Sequence, residues 1–397
     1  MSHVMNTYAR QPVAFVRGEG VWLWDEAGKK YLDALAGIAV NTLGYAHPRL
    51  TAALMKRIQS GVIHTSNLWR IPDQEAAADR VAEITGLDEV FFCNSGLEAT
   101  EASIKVARKY GHDKGIAEPA IIVMEKAFHG RSLATLSATG SRKVQAGFEP
   151  LVQGFVRVPL NDLDAVRQIA ERNTSIAAVL IEPIQGEGGI NVSRLEYLRG
   201  LKKVCDERGW LFISDEVQCG LGRTGKWFVY QHAGLQPDVV ALAKGLASGV
   251  PVGACVTGNR ARGVFKPGNH GSTFGGNPLA MTAVVTTIDT IKEEKLMERA
   301  QRVGDLILSS LRNQIGSLPA AQVTDIRGMG LMIGVELKEP CGELVKQALD
   351  AGLVINVTAD NVIRMLPPLV MSEAEGRQVV ERLVPLVKAF LDKRAAA

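Results

Sequence analysis

Between residues 89 and 258 the chain alternates short apolar runs with amphipathic stretches, and this alternation limits the possible folds more than any other feature. "EVFFCN" (89–94), "AIIVMEK" (120–126), "GFVRVPL" (154–160), "IAAVLIEPI" (176–184), "WLFISDE" (210–216), "DVVALAK" (238–244) and "VGACVTG" (252–258) read as strands. Helical patterns lie between them: "SGLEATEASIKVARKY" with Ser95 at its N-cap, "NDLDAVRQIAER" capped by Asn161 or Asp162, and "SRLEYLRGLKKVCDERG" ending at Gly209. Strands separated by helices predict βαβ units and a mostly parallel sheet, and a nearly continuous apolar run such as 176–184 suits a strand buried on both faces.

The two ends read differently. "GVWLWDEAGKKYLDAL" predicts a hairpin around Glu26-Ala-Gly28, and from about residue 295 onward helices alternate with "TDIRGMGLMIGVEL" and "NVIRMLPP" in an α+β pattern. The expected organisation is one large α/β domain at 51–290 and a smaller α+β domain built from 1–50 together with 291–397. A length of 397 residues suits two domains at roughly 150 residues each.

Composition excludes several classes. The net charge is only +3 with 22% charged residues, which gives no argument for nucleic acid or an acidic membrane surface. The five cysteines have no C-x-x-C spacing, which argues against a disulfide framework or a zinc site and fits a reducing cytoplasm; no metal is expected. The N-terminal stretch has no apolar signal core, and no apolar run approaches the ~20 residues of a membrane span.

"FISDEVQCGLGRTG" (212–225) carries the glycine spacing of a dinucleotide-binding turn. A true fingerprint starts at the strand end and opens a helix at once. Here Asp-Glu-Val-Gln-Cys separates the strand from Gly220, and the aromatic-rich "KWFVYQHAG" follows. The chemistry is therefore assigned to Asp215, at the carboxyl end of a buried strand, where ligands of open α/β sheets bind. Lys244 likewise follows an apolar strand and is surrounded by Ala243, Gly245, Ala247, Ser248 and Gly249. Burial lowers a lysine pKa and supplies the neutral amine that Schiff-base chemistry needs. Ser95-Gly96 opens a helix straight after a strand, a seat for phosphate. Ser272-Thr273, in the glycine-rich "HGSTFGGNP", offers two hydroxyls to an anion. A lysine, a phosphate seat and a strand-end acid together specify pyridoxal 5′-phosphate (PLP), whose pyridine nitrogen an ionised Asp keeps protonated.

On "SGLEATEASIKVAR", "AFHGRS", "IEPIQGEGG", "FISDEVQCGLGRTGKWF", "DVVALAKGLASGVPVGA" and "GSTFGGNPLA" the chain resembles the class III (ω-amino acid) PLP-dependent aminotransferases over nearly its full length. "GIAVNTLGYAHP", "SNLW" and the compact length resemble the acetylornithine branch of that family. The resemblance implies fold type I, a homodimer with shared active sites, and acetylornithine with 2-oxoglutarate or glutamate as substrates. Succinylornithine or γ-aminobutyrate as amino donor, and a PLP aminomutase, are the alternatives.

The resemblance also implies roles. Lys244 would hold the cofactor covalently and shuttle the proton, and Asp215 would pair with the pyridine nitrogen. Gln218 would lie near the ring's 3′ oxygen. Ser95 and Gly96 would hold the phosphate, with Thr273 reaching it from the partner subunit. Phe128 would stack on the ring, although a core aromatic fits the sequence equally. Glu216 and Val217 complete the cofactor set, with Glu182 and Glu216 as support around the ring acid. His129 and Cys219 are read as packing residues. Substrate recognition falls to Arg131 for the distal carboxylate, Arg364 for the α-carboxylate, Ser272, and Glu187, which would pair with Arg364 in one half-reaction and swing aside in the other. The glycines at 186, 188 and 189 are expected to give the Glu187 backbone room to move.

Overall fold

The computed structural model describes residues 3–316, 318 and 322–395; residues 1–2, 317, 319–321 and 396–397, all in the expected small domain, lie outside the described residues. A seven-stranded sheet forms the centre. In chain order its strands are β1 (Glu89–Cys93), β2 (Ala120–Met124), β3 (Phe155–Val158), β4 (Ile176–Ile181), β5 (Leu211–Asp215), β6 (Val239–Leu242) and β7 (Gly253–Thr257). In space the order is β1-β7-β6-β5-β4-β2-β3. The pairs β6–β5, β5–β4, β4–β2 and β2–β3 are parallel, and β7 runs antiparallel to both its neighbours. Every residue of β2, β4, β5 and β6 is buried, as their unbroken apolar runs require.

The reversed strand has a simple cause. A parallel connection needs a crossover of a dozen residues or more, commonly a helix. Only a short 3₁₀ turn, Lys244–Ala247, and a few further residues separate β6 from β7, so the chain can only fold straight back. The helix α1 (Gly96–Asp113) follows β1, with the Ser95 hydroxyl accepting from Glu98 N at 3.2 Å as its cap. Asp162 caps the helix Leu163–Arg172, and Gly209, in the left-handed region, ends Leu195–Arg208.

The N-terminal hairpin pairs Trp22–Asp25 with Lys30–Asp33 around a turn in which Asp25 Oδ1 accepts from Ala27 N and Lys29 N. Leu353–Val354 adds to Lys30–Asp33 as a parallel strand, so the two ends of the chain share one sheet. The C-terminal part has its own antiparallel sheet of β8 (Val323–Met329), β9 (Met332–Leu337), β10 (Asn356–Thr358) and β11 (Val362–Met365), in the order β8-β9-β11-β10. Among the described residues, no helix is long and apolar enough to cross a membrane.

Candidate active site

The carboxyl ends of the parallel strands surround a cavity of about 390 Å³ lined by Ser95, Phe128, Arg131, Asp215, Gln218 and Lys244, among others. Asp215 is the last residue of β5, in register with Ala241 of β6, and Lys244 follows just beyond that register point. Lys244 opens the reversing turn with φ +42°, a region that side-chain-bearing residues rarely occupy and that clusters at functional sites. Burial lowers the Lys244 pKa to about 8; Glu187, Glu182 and Asp215 oppose the shift and Arg364 adds to it.

Asp215 is nearly fully buried. Its Oδ2 lies 2.8 Å from His129 Nδ1 and accepts weakly from the Thr100 hydroxyl at 3.5 Å; its Oδ1 accepts from Val217 N at 3.1 Å. Because a carboxylate only accepts, His129 Nδ1 carries the hydrogen, and Nε2 has no partner among the described residues. His129 therefore holds the strand-end acid and does more than pack, which corrects the sequence reading. Its sequence signal was its place beside Phe128 in "AFHGRS".

Glu182 Oε2 accepts from Phe128 N at 2.7 Å and Oε1 from Gly186 N at 3.3 Å, and burial raises its pKa to about 7. It thus ties the Phe128 segment to the Glu187 segment. Glu216 needs correcting. Its carboxylate takes Val229 N at 2.9 Å, Tyr230 N at 3.3 Å and Cys219 Sγ at 3.1 Å, outside the cavity. Neighbouring strand residues point to opposite faces, so the chain that aims Asp215 into the cavity turns Glu216 away from it. Burial raises the Glu216 pKa to about 7, and Cys219 is packed as expected.

At the head of α1, the N–H groups of Gly96 and Leu97 have no preceding turn to accept them, and both residues line the cavity. Glu98 Oε2 accepts from Asn94 N at 2.6 Å and from the Ser95 hydroxyl at 3.2 Å, which closes the cap. A Cβ on Gly96 would lie 2.6 Å from Val217 Cγ1, so only glycine lets the helix start approach the strand-end run. Thr273 is exposed and stands apart from the cavity of its own chain. The Ser272 Oγ accepts from Asn94 Nδ2 at 3.2 Å and Gly275 N at 3.0 Å and so braces the helix cap.

Arg364, on β11, is fully buried. Its Nη1 donates to Glu187 Oε1 at 2.5 Å and Gln218 Oε1 at 3.1 Å, its Nε donates to Asn356 Oδ1 at 3.0 Å, and its Nη2 is unpartnered among the described residues. Burial pushes the Glu187 carboxyl up, but the charge and hydrogen bond of Arg364 outweigh it and hold the pKa below its ordinary value. Gln218, expected near a ring oxygen, spends its amide on this pair, with Nε2 also 3.4 Å from Glu187 Oε1. Arg131 is exposed at the cavity mouth, its guanidinium 5.7 Å from the centre of the Phe128 ring. Of the three glycines around Glu187, Gly189 sits at φ +111°, a backbone conformation that side-chain-bearing residues rarely adopt, while the other two stand against close neighbours. A Cβ on Gly186 would overlap the Gln218 amide, and one on Gly188 would lie 2.5 Å from Lys126 O, so these glycines allow close approach.

The family profile described as "Aminotransferase class-III" matches residues 4–387. The chain is 56% identical over 394 residues to the acetylornithine aminotransferase of Nitrosomonas europaea, covering 99% of this chain and 100% of that one. The chain belongs to the class III aminotransferases. It is also 45% identical over 392 residues to the acetylornithine aminotransferase of Aquifex aeolicus, covering 98% and 100% of the two chains. The crystal structure of acetylornithine aminotransferase from Elizabethkingia anophelis superposes with a TM-score of 0.88 at 35% identity, covering 98% of this chain and 96% of that one. An ornithine aminotransferase structure from Toxoplasma gondii, reported with partial occupancy of PLP at its active site, gives a TM-score of 0.95 at 33% identity, covering 100% and 93%. The fold is α/β, fold type I of the PLP-dependent transferases.

The cavity of this class III aminotransferase fits PLP on its own chemistry. It brings together one lysine of lowered pKa, a buried carboxylate at a strand end, and a helix start with free N–H groups. Lys244, Asp215, Ser95, Gly96, Phe128, Val217 and Gln218 all line it; Thr273 and Glu216 do not. Besides His129, the sequence reading missed Asn94, Thr100 and Asn356, single polar residues that gain a purpose only from partners distant in the chain.

Proposed function

We propose that this protein transfers the terminal amino group of N2-acetyl-L-ornithine to 2-oxoglutarate, giving N-acetyl-L-glutamate 5-semialdehyde and L-glutamate, a step of arginine biosynthesis in the cytoplasm. The observation that carries the reading is the pairing, beside Lys244, of the fully buried Arg364 with the half-buried Glu187 at 2.5 Å. Such a pair answers the problem of one cavity serving two unlike substrates. Acetylornithine brings no carboxylate on its reacting carbon, and a buried guanidinium left alone would be costly. Glu187 satisfies it. Glutamate brings an α-carboxylate that takes Arg364, for which Nη2 is already unpaired, and Glu187 gives way. Arg131 at the mouth clamps the distal carboxylate of acetylornithine. The names of the relatives at 56% and 45% identity support this donor.

When bound, PLP supplies a carbonyl that condenses with amines and a protonated pyridine that accepts electrons. Lys244 would hold it through its amine and would move the proton at the substrate's reacting carbon. Asp215, fixed by His129 Nδ1 and Val217 N, would pair with the pyridine nitrogen. Gly96 and Leu97 would offer their N–H groups to the cofactor's phosphate, and Phe128, which lines the same cavity, would pack on its ring.

A panel with 2-oxoglutarate as acceptor tests the donor: kcat/KM for acetylornithine is expected to exceed that for ornithine and γ-aminobutyrate, and a preference for free ornithine would overturn the reading. For the switch, Glu187→Gln is expected to slow the acetylornithine half-reaction far more than the glutamate half-reaction. Loss of a charge-assisted contact of ~2–3 kcal/mol corresponds to about a hundredfold in rate. Single-turnover measurement of each half-reaction checks it, and equal slowing of both removes the switch.

The same reading includes a homodimer in which Thr273 serves the partner's phosphate site. It is supported by Thr273 standing away from its own cavity and by the apolar loops around it. Asn67 Nδ2 donates to Ser272 O and Gly275 O, joining a segment with exposed Leu68 and Trp69 to one with exposed Phe274. A second copy of the chain would cover this surface. Sedimentation at assay concentration is expected to give a dimer; a fully active monomer would refute the shared site. The same proposal divides the chain into a large domain at 51–290 and a small one of 1–50 with 291–397, consistent with the strand pairing of Leu353–Val354 to Lys30–Asp33.

A further inference from the structure

The segment carrying Glu187 is held by its carbonyl groups. The carbonyl of Glu187 itself accepts from the Thr358 hydroxyl at 2.6 Å, and that of Gly188 from Asn191 Nδ2 at 2.8 Å. The carbonyls of Gly189 and Ile190 both accept from Arg327, through Nη2 at 2.6 Å and Nε at 3.0 Å. Arg327 is itself anchored to Glu336 at 2.5 Å and Asp325 at 3.1 Å on the strands β9 and β8. Ile190 sits at φ +54°, where a β-branched residue stays only if its surroundings impose it. Gly334 makes room for it, since a Cβ there would lie 2.9 Å from Ile190 Cβ.

We propose that Arg327 and Thr358 form a clamp that fixes the main chain of residues 187–190, so that the switch is a rotation of the Glu187 side chain alone, and that both are positioning residues which set how strongly Glu187 competes for Arg364. The inference rests on the switch reading of Arg364 and Glu187 above. Its physical basis is effective concentration: a carboxylate on a fixed backbone returns to one place, and loosening the backbone dilutes it at the guanidinium. The two planar donors of Arg327 that reach neighbouring carbonyls have no equivalent in a lysine ammonium.

The clamp predicts effects of opposite sign. Loosening it removes Glu187 from Arg364 when acetylornithine needs the pair, and it removes a competitor when a carboxylate ligand needs the guanidinium. A merely structural role would weaken everything together. The test uses holoenzyme carrying Thr358→Val, which exchanges the hydroxyl for a methyl of similar shape, and Arg327→Lys, with Glu187→Gln measured alongside. Three quantities are read: single-turnover rates with acetylornithine and with glutamate, and calorimetric affinity for glutarate, a dicarboxylate with no amine. For Thr358→Val the expected result is an acetylornithine half-reaction slowed about tenfold, the size of one neutral hydrogen bond, a glutamate half-reaction within about twofold, and glutarate bound several-fold more tightly. Arg327→Lys should move all three further in the same directions; if it fails to fold, Thr358→Val decides alone. Equal slowing of both half-reactions with weaker glutarate binding, or no change in any of the three, overturns the clamp. If Glu187→Gln is selective for acetylornithine and the clamp variants are not, only the clamp falls. If Glu187→Gln slows both half-reactions alike, the switch falls and the clamp with it.

Discussion

Lys244→Ala is expected to abolish turnover, by at least roughly a thousandfold, while the protein still folds and holds PLP without a covalent link. Lys244 is the only lysine among the residues lining the cavity, and alanine leaves neither a nucleophile for attachment nor a base for the proton. Burial makes this amine useful: with its pKa lowered to about 8, a fraction is already neutral near pH 7, whereas an ordinary lysine is almost wholly charged. The sign can be tested separately. An amine attacks only when neutral, so covalent attachment of PLP to cofactor-free wild-type protein should quicken as pH rises through about 8. In Lys244→Ala, visible absorbance of a lysine-bound cofactor should be lost at every pH. If it survived, the attachment would lie on another lysine, and a thermal melt matching wild type would exclude unfolding as the cause of lost activity.

Asp215→Asn is expected to fold and to lose most of its activity, on the order of a hundredfold or more, as when one preorganised electrostatic partner is removed from an active site. The amide is nearly isosteric but carries no charge, so it cannot keep a neighbouring pyridine protonated. It is also a poorer acceptor. His129 Nδ1, Thr100 Oγ1 and Val217 N converge on two carboxylate oxygens, and the amide offers only one. The local loss is therefore about one hydrogen bond, roughly 1 kcal/mol, too little to unfold the chain. Steady-state kcat and a thermal melt check both parts. Near-normal activity would show that another acid carries the role, and Glu182, which also lines the cavity and whose pKa burial raises to about 7, is the one to test next.

The sequence by itself determined the layered α/β architecture, because apolar runs of strand length separated by capped amphipathic helices leave few alternatives to a buried parallel sheet. It also placed Asp215, Lys244 and Ser95-Gly96, since each follows a strand and strand ends converge on one edge of such a sheet. Local periodicity could even have separated Asp215 from Glu216, as adjacent residues of a strand face opposite ways. The short connection between the sixth and seventh apolar runs already leaves β7 no course but backwards; only the tertiary structure showed Lys244 opening the turn that reverses the chain. It alone joined Arg364 to Glu187, which lie in segments whose contact no local pattern encodes, and it alone gave His129 its carboxylate. The glycines around Glu187 show the difference most sharply. Sequence reads a glycine as freedom, which Gly189 uses at φ +111°, but what Gly186 and Gly188 permit depends on the atoms opposite their missing Cβ, the Gln218 amide and the Lys126 carbonyl.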